Sequence, residues 1–230
     1  MSLPIHYRDD DIVIIDKPSG LLVHRSDIAR DAREFAVQLL RNQLGTHVYP
    51  VHRLDRKTSG LLMFCLRKEV LDTYYSLFRD RLVKKYYHAI VRGYTEDAGL
   101  IDYDLKADDG KVHEAITHYR TLERYEIDEP SGAFMTSRYS LVELRPETGR
   151  MHQLRRHMAH ILHPIIGDRP HGCNKQNRIW KHKWGMDTML LHANKMEFKH
   201  PVSHQDVSLT VGYPEAFKFS FKLFALRKSS

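Results

Sequence analysis

The sequence predicts an α+β fold in which flanking helices cover a mixed, mainly antiparallel sheet around a central basic cleft. Three observations support this prediction. Most strand-like segments follow one another without an intervening helical pattern, which favours antiparallel pairing. The 230 residues contain no internal repeat or convincing linker, so we expect a single domain over 1–230. Lysine and arginine outnumber aspartate and glutamate by 36 to 29 and gather in a few segments, which favours a polyanionic partner.

The first part of the chain contains two strand patterns and two helix patterns. Residues 12–15 are continuously apolar and predict a buried strand that a turn ends. Apolar residues at helical spacing then predict a helix that Asp31 caps, with Glu34 completing a capping box, and that Gly45 ends. An unbroken apolar run at 61–66 predicts a strand buried on both faces. The second helix should bury a stripe formed by Val70, Tyr74, Leu77 and Phe78.

The rest of the chain is expected to add further strands, one informative helix and two loops. Residues 94–112 are acidic and predict a loop, and the polar, basic residues 169–183 predict another. Residues 150–162 carry apolar side chains at helical spacing and predict a helix. Strands are predicted at 83–93, 114–122, 138–145, 190–198 and 207–211.

The stretch HRLDRKTSG, at 52–60, surrounds one carboxylate with cations. Asp55 stands among Arg53, Arg56 and Lys57, directly before the second buried strand. Its loop should therefore be anchored on the rigid centre of the fold, which suits a catalytic group. Structural ion pairs are common too, so a purely structural role for Asp55 is the alternative at this point.

The strand predicted over 83–93 directs its side chains alternately to two faces. One set, which includes Lys85 and Tyr87, ends in small apolar residues and should face the core. Tyr86 should lie on the more polar face. Tyr87 is thus aimed inward, where its ring serves either a site or simply the core, and a core role is the commoner one.

Arg155 lies at the edge of the apolar stripe of the helix predicted over 150–162, whereas Gln153, Arg156, His157 and His160 lie on the opposite side. An arginine that points toward a core is costly unless a carboxylate accompanies it. We infer an Asp55–Arg155 pair that faces the same cavity as Tyr87. The alternative is that the long side chain of Arg155 reaches solvent.

The composition argues against several other classes of protein. His157, His160 and His163 are spaced by three, but no HExxH and no paired cysteine motif accompany them, so no metal site is expected. Cys65 should be a small core residue, and it forms no disulfide framework with Cys173. No apolar stretch approaches a membrane span and no signal-peptide pattern is present. We therefore expect the protein in the reducing cytoplasm. We also expect it to be a monomer.

Three ordered motifs carry a resemblance to a known family. They are HRLDRKTSGLL at 52–62, K-x-Y-x-A-x-V-x-G at 85–93 and TGRMHQLRRHMAHILHPIIGD at 148–168. Together they resemble the RluA family of pseudouridine synthases. KPSG at 17–20 and LHA at 191–193 resemble the outer motifs of that family, so that the resemblance covers nearly the whole chain.

The resemblance implies the pseudouridine synthase catalytic fold, without an N-terminal S4-type RNA-binding domain, and isomerisation of a uridine in RNA without cofactor or metal. The target base would be flipped out of its stack. Asp55 would be the nucleophile or essential carboxylate, Tyr87 the ring against the target base, and Arg155 the partner of Asp55. Arg53 would help to hold the flipped nucleotide or fill the gap that it leaves.

Finer features, such as LVHRS at 22–26, THYR at 117–120 and the doubled arginine at 155–156, resemble a member that acts on tRNA. They imply uridine 65 of tRNA as the target. A ribosomal RNA pseudouridine synthase with the same site and a non-enzymatic RNA-binding protein are the alternatives. The residues expected to contact RNA are Arg53, Arg56, Lys57, Lys85, Arg150, His152, Gln153 and Arg156.

Overall fold

The computed structural model describes residues 2–24 and 34–227, and these form twelve strands and five α-helices. The strands are β1 (Ile5–Arg8), β2 (Ile12–Lys17), β3 (Tyr49–Pro50), β4 (Ser59–Cys65), β5 (Lys84–Arg92), β6 (Ala98–Asp102), β7 (Leu105–Lys106), β8 (Val112–His113), β9 (Ile116–Ile127), β10 (Ser137–Pro146), β11 (Leu191–Lys199) and β12 (Asp206–Thr210). The helices are α1 (Ala36–Leu44), α2 (Leu71–Arg79), α3 (Gln153–His160), α4 (Asn174–Trp184) and α5 (Glu215–Leu226). The predicted α+β class with a mainly antiparallel sheet is confirmed.

The chain divides into two compact units, and each is discontinuous in sequence. One unit comprises the chain up to Lys85 together with Ala193–Gly212. The other comprises Tyr86–His192 and the chain from Tyr213 onward. The single domain expected over 1–230 stays a prediction.

The first unit is built around β4. Its strand order is β1-β2-β4-β11, with β3 paired to β4 and β12 to β11. Every residue of β4 is buried, and β2 pairs with it antiparallel, with Ile14 opposite Met63. The predicted strand with two buried faces is therefore confirmed. Fully burying an aliphatic side chain contributes about 1.5–3 kcal/mol, so this strand is a rigid base for the loop that precedes it.

The second unit pairs four strands in the order β5-β10-β9-β6. β9 and β10 form a long antiparallel hairpin in which Tyr139 lies opposite Tyr125. Trp180 of α4 and Phe217 and Phe224 of α5 complete the hydrophobic core with Tyr139. These aromatic residues explain why both helices pack on the sheet in spite of their many charged side chains.

Several predicted elements differ from the observed ones. The expected loop at 94–112 contains β6, β7 and the first residue of β8, and β6 forms because it pairs with β9 in spite of the acidic residues around it. The expected loop at 169–183 contains α4, whose buried Gln176 and Trp180 are four residues apart and indicate a helical face. The helix expected over 150–162 is confirmed only for Gln153–His160.

The remaining elements agree with the sequence, apart from the start of α1. α1 ends at Gly45, which adopts a left-handed conformation with φ 70°, as its position after the last helical residue predicts. Asp31 lies outside the described residues, but the predicted start of this helix is wrong: Glu34 is not helical, and α1 begins at Ala36 with Phe35 at the N-cap position and no side-chain cap. Cys65 is fully buried, which confirms its core role. Among the described helices, none is long and apolar enough to cross a bilayer.

Candidate active site

Asp55 lies on a tight turn of the first unit, immediately before β4. The backbone N–H of Thr58 donates to the carbonyl oxygen of Asp55 at 3.1 Å and closes the turn. Leu54 and Thr58, on either side, are buried, whereas Asp55 is partly exposed. The turn therefore presents a carboxylate from a backbone whose ends are fixed in the interior.

The turn after β2 holds the Asp55 loop along its length. The Gly20 N–H donates to the carbonyl of Arg56 at 2.8 Å, and the Ser19 hydroxyl donates to that of Lys57 at 2.7 Å. The Arg56 guanidinium donates back to the carbonyl of Gly20 at 3.1 Å. These contacts join segments that are more than 35 residues apart in the chain, so they depend on the tertiary fold.

Lys17 lies at the end of β2, below the contacts between the turn after β2 and the Asp55 loop, and is 0% exposed. Its ammonium group donates to the carbonyls of Pro18, Leu21 and Arg56 at 2.9, 2.8 and 3.2 Å. Burial lowers the pKa of Lys17 to about 7, while the charges of Asp55 and Asp16 act in the opposite direction. Lys17 thus connects β2 to the backbone of the residue that follows Asp55.

His52 fixes the other end of the loop. Its Nε2 accepts a hydrogen bond from the Met63 N–H of β4 at 3.1 Å, and its ring stacks on Phe78 with a centroid distance of 4.6 Å. Lys85 Nζ lies 5.9 Å from the centre of the Phe78 ring. Burial, and then the charge of Lys85, lower the pKa of His52 to about 3, so the ring stays neutral and can accept. Burial also lowers the pKa of Lys85.

Gly60 allows β4 to approach the backbone of β11. Its φ is 109°, and a Cβ atom built on it would lie 2.3 Å from the carbonyl oxygen of Ala193. A side chain there would clash with main-chain atoms that cannot rotate away. The glycine that ends HRLDRKTSG is therefore required by close packing as well as by backbone conformation.

In the second unit, Tyr87 lies on β5 and is buried, opposite Leu144 of β10. Ala89 and Val91, which alternate with it, are also buried, and Tyr86 is more exposed. The predicted inward orientation of Tyr87 is confirmed. Its position on a paired strand gives its ring a fixed location.

Arg155 of α3 is held by the buried carboxylate of Asp168. Its Nε and Nη2 donate to the two oxygens of Asp168 at 2.8 and 2.7 Å. Arg155 is 7% exposed and Asp168 is 1% exposed. This is a buried, bidentate ion pair. The expected pair between Arg155 and Asp55 stays a prediction.

Asp168 is in turn positioned by its own loop and by α4. Its carbonyl accepts from the Asn177 amide at 2.6 Å, and the Asn177 side-chain oxygen accepts from the Gly167 N–H at 2.9 Å. The sequence offered one usable signal for Asp168, since a buried arginine needs a carboxylate and this one is only 13 residues away. Asn177 carried no such signal.

Two residues of α3 that the sequence places on a polar face are buried. Gln153 accepts from the Thr148 hydroxyl and the Arg150 N–H, and it donates to Ile116 and Thr117. Its expected contact with RNA would require these hydrogen bonds to break. His157 is likewise buried, between the Thr117 hydroxyl and a backbone carbonyl. The polar assignment is wrong for both, because the 103–117 region covers this side of α3.

The other predicted RNA contacts lie on both units. Arg53 and Arg56 are exposed in the first unit. In the second, Arg150 is exposed and donates to the carbonyl of Glu114 at 3.0 Å, while Arg156 is partly exposed and donates to that of Lys106 at 3.0 Å. Lys57 and Lys85 are partly exposed, and His152 Nδ1 lies 3.1 Å from Nε2 of His171. Within 2–24 and 34–227, no three metal-binding side chains converge.

Comparisons with known proteins point to one group of enzymes. A family model described as RNA pseudouridylate synthase matches residues 11–160. A tRNA pseudouridine synthase C of Vibrio parahaemolyticus is 40% identical over 235 residues, which cover 97% of this chain and 96% of that protein. One of Vibrio vulnificus is 42% identical, covering 96% and 95%. The solved structure of human RNA pseudouridylate synthase domain containing 1 has a TM-score of 0.73 at 25% identity, over 93% of this chain and 84% of that one.

Proposed function

This chain belongs to the RNA pseudouridylate synthase family, and on that premise we propose that it isomerises uridine 65 of tRNA to pseudouridine with Asp55 as the essential carboxylate. The proposal rests on one observation. Hydrogen bonds hold the turn that presents Asp55 in place, and Arg53 and Arg56 on either side of Asp55 are exposed. The relatives named tRNA pseudouridine synthase C, which match almost end to end, support tRNA as the substrate. We further propose that the enzyme acts in the cytoplasm as a monomer.

The reaction requires one bond to break and another to form on the same nucleotide. The glycosidic bond between N1 of uracil and C1′ of ribose breaks, the base rotates, and C5 bonds to C1′. C5 then loses its hydrogen to solvent and N1 gains a proton, so atoms and charge balance. Because the base is stacked in RNA, it must first leave the stack and enter a pocket in the protein.

Asp55 can serve this reaction in more than one way. Its carboxylate can form a covalent bond to the sugar or the base, or it can assist elimination by stabilising positive charge that develops at C1′. Each route requires a carboxylate at a fixed position. Lys17, Ser19 and Gly20 bind the backbone of the two residues that follow Asp55, which supports this requirement.

Tyr87 and Arg155 complete the proposed site. The ring of Tyr87 would stack on the flipped base and relay a proton. Arg155 would pair with Asp55 in the RNA-bound enzyme, while Asp168 holds its Nε and Nη2. A guanidinium that is already oriented loses less conformational entropy when it binds a second carboxylate. Arg53 would hold the flipped nucleotide or fill the gap that it leaves, and Arg56 and the other basic residues predicted to contact RNA would bind the phosphates.

Release of tritium from C5-labelled uridine in tRNA tests the chemistry, since C5 loses its hydrogen in each turnover. Asp55→Asn should reduce the release by at least about 10³-fold, as the loss of a catalytic nucleophile does. The variant should still bind tRNA. Asp10→Asn, which changes an exposed aspartate of the same unit, is the control and should retain wild-type release. Undiminished turnover by Asp55→Asn would remove Asp55 from the reaction.

The RNA target is tested separately. Purified enzyme is incubated with tRNA, with tRNA in which residue 65 is cytidine, and with ribosomal RNA, and pseudouridine is then mapped in each. We expect modification at residue 65 of the first RNA alone. Modification of the ribosomal RNA instead would favour the alternative substrate, and tight binding of tRNA without modification of any RNA would favour a non-enzymatic RNA-binding role.

A further inference from the structure

We propose that one face of α4 and the tip of the β9–β10 hairpin form a second RNA-binding surface on this protein, which we call the tip–helix surface. It comprises Lys175, Arg178 and His182 of α4 together with Phe134 and Met135 of the tip. None of these residues is among those that the sequence predicts to contact RNA. The proposal rests on the proposed function, because it takes RNA as the partner.

The basic part of the surface is one face of α4. Lys175, Arg178 and His182 are exposed and are spaced by three and four residues, so they lie on one side of the helix. The opposite side carries Gln176 and Trp180, which are buried. The three basic side chains extend over about 10 Å of helix axis. Lys175 and Arg178 make this a positive stripe, and α4 keeps it in a fixed direction because the other face of the helix is packed.

The apolar part of the surface is the hairpin tip. Ser131 and Phe134 exchange backbone hydrogen bonds at 2.9 and 3.4 Å around the two-residue turn Gly132–Ala133. Phe134 is 69% exposed and Met135 is 78% exposed. The Phe134 ring is therefore open to solvent and available to stack on a base.

The tip and the helix are joined directly. The Gln176 amide of α4 donates to the Ser131 hydroxyl at 2.9 Å and lies 3.3 Å from that of Ser137. A Cβ atom built on Gly132 would lie 2.0 Å from Lys175 Nζ, so the amine lies against the turn. Lys183 binds Glu129, at the start of the tip, at 2.5 Å. The exposed ring and the positive stripe are therefore parts of one surface.

The chemistry of this surface fits the phosphates and unpaired bases of RNA. A row of cations binds a phosphate backbone, and an exposed ring beside it can stack on an unpaired base. Lys175, Arg178 and His182 are all exposed, so a phosphate backbone can reach them. Positive charge of this kind would disfavour a basic protein partner, whereas it attracts phosphate.

The test measures the affinity of the enzyme for tRNA at several salt concentrations. Lys175→Ala/Arg178→Ala should reduce the slope of log K against log salt by about 1.4 to 1.8, the contribution of two phosphate contacts. Lys218→Ala/Lys222→Ala, which removes two exposed lysines from α5 of the same unit, is the matched control and should leave the slope unchanged. The loss of affinity should raise both the Kd for tRNA and the KM of the isomerisation.

Phe134→Ala tests the stacking contact independently. It should weaken binding by roughly 5- to 150-fold, the effect of one stacked base, without changing the salt slope. Phe134→Trp should restore the affinity, and urea unfolding should show that each variant is folded. If both the α4 and Phe134 variants bind tRNA as the Lys218→Ala/Lys222→Ala control does, the proposal is wrong.

The two proposals can fail separately, because binding is measured without turnover. If the wild type isomerises tRNA but the tip–helix variants bind as the control does, only the second surface is refuted. If the variants weaken tRNA binding but the wild type isomerises no RNA, the surface stands and the proposed function fails.

Discussion

Lys17 in the first unit and Arg155 in the second are both buried cations, but the protein accommodates their charges in different ways. Lys17 donates to three backbone carbonyls, and burial lowers its pKa to about 7. Arg155 binds both oxygens of the buried Asp168. A lysine can lose its proton when it is buried, whereas a guanidinium cannot. The residue that cannot become neutral is thus the one that has a buried carboxylate.

His52 extends the comparison to a weaker base. Its ring needs no counter-charge, because burial lowers its pKa to about 3 and it accepts a hydrogen bond as a neutral group. The three groups form a series in which the intrinsic pKa falls from arginine to lysine to histidine. The loss of unfolding free energy when the environment of each group is disturbed should fall in the same order.

The largest effect is expected at Arg155. Asp168→Asn preserves the shape of the side chain but leaves a buried guanidinium without its counter-charge, which should lower the free energy of unfolding by about 3–5 kcal/mol. Asp187→Asn, at an exposed aspartate 3.8 Å from Arg169 and Lys181, is the control and should change it by no more than about 0.5 kcal/mol. Urea denaturation measures both. Equal effects of the two substitutions would show that Arg155 does not depend on Asp168.

A smaller, pH-dependent effect is expected at Lys17. Its folded pKa of about 7 lies below the ordinary 10.5, so between these values only the unfolded chain carries the proton, and stability rises with pH. The stability of the wild type relative to Lys17→Met should therefore increase from pH 7 to pH 9 by up to about 2.7 kcal/mol. Denaturation at the two pH values measures this change. The control Lys84→Met, at an exposed lysine, should show no such change in stability between pH 7 and pH 9. If the stability difference between the wild type and Lys17→Met is the same at both pH values, the carbonyls keep Lys17 protonated.

The smallest effect is expected at His52. Its folded pKa of about 3 lies below the ordinary 6.5, so the unfolded chain takes up the proton first and stability is lost as the pH falls through this window. His52→Gln keeps an acceptor for the Met63 N–H but does not titrate. From pH 6.5 to pH 5, the wild type should lose up to about 2 kcal/mol more than this variant. Equal losses for the wild type and His52→Gln would contradict the neutral ring.

The elements also differ in how far sequence patterns predicted them. The apolar runs of β2 and β4, the alternation of β5 and the Gly45 end of α1 were all correctly predicted, because each follows from neighbouring residues. β6 and α4 were predicted as loops. β6 depends on pairing with β9, and α4 on packing of Trp180 against Tyr139, and neither partner is visible in the local pattern.

By itself, the sequence determined the α+β class, the buried strand behind Asp55 and the inward side of Tyr87, because turn residues and hydrophobic periodicity act over a few positions. Only the tertiary structure decided what surrounds each charged group. The Arg56 carbonyl that Lys17 binds is 39 residues away, and Gln153 is buried by residues 36 and 37 positions earlier. A charge needs a partner in space, and no local pattern states which distant segment will supply it.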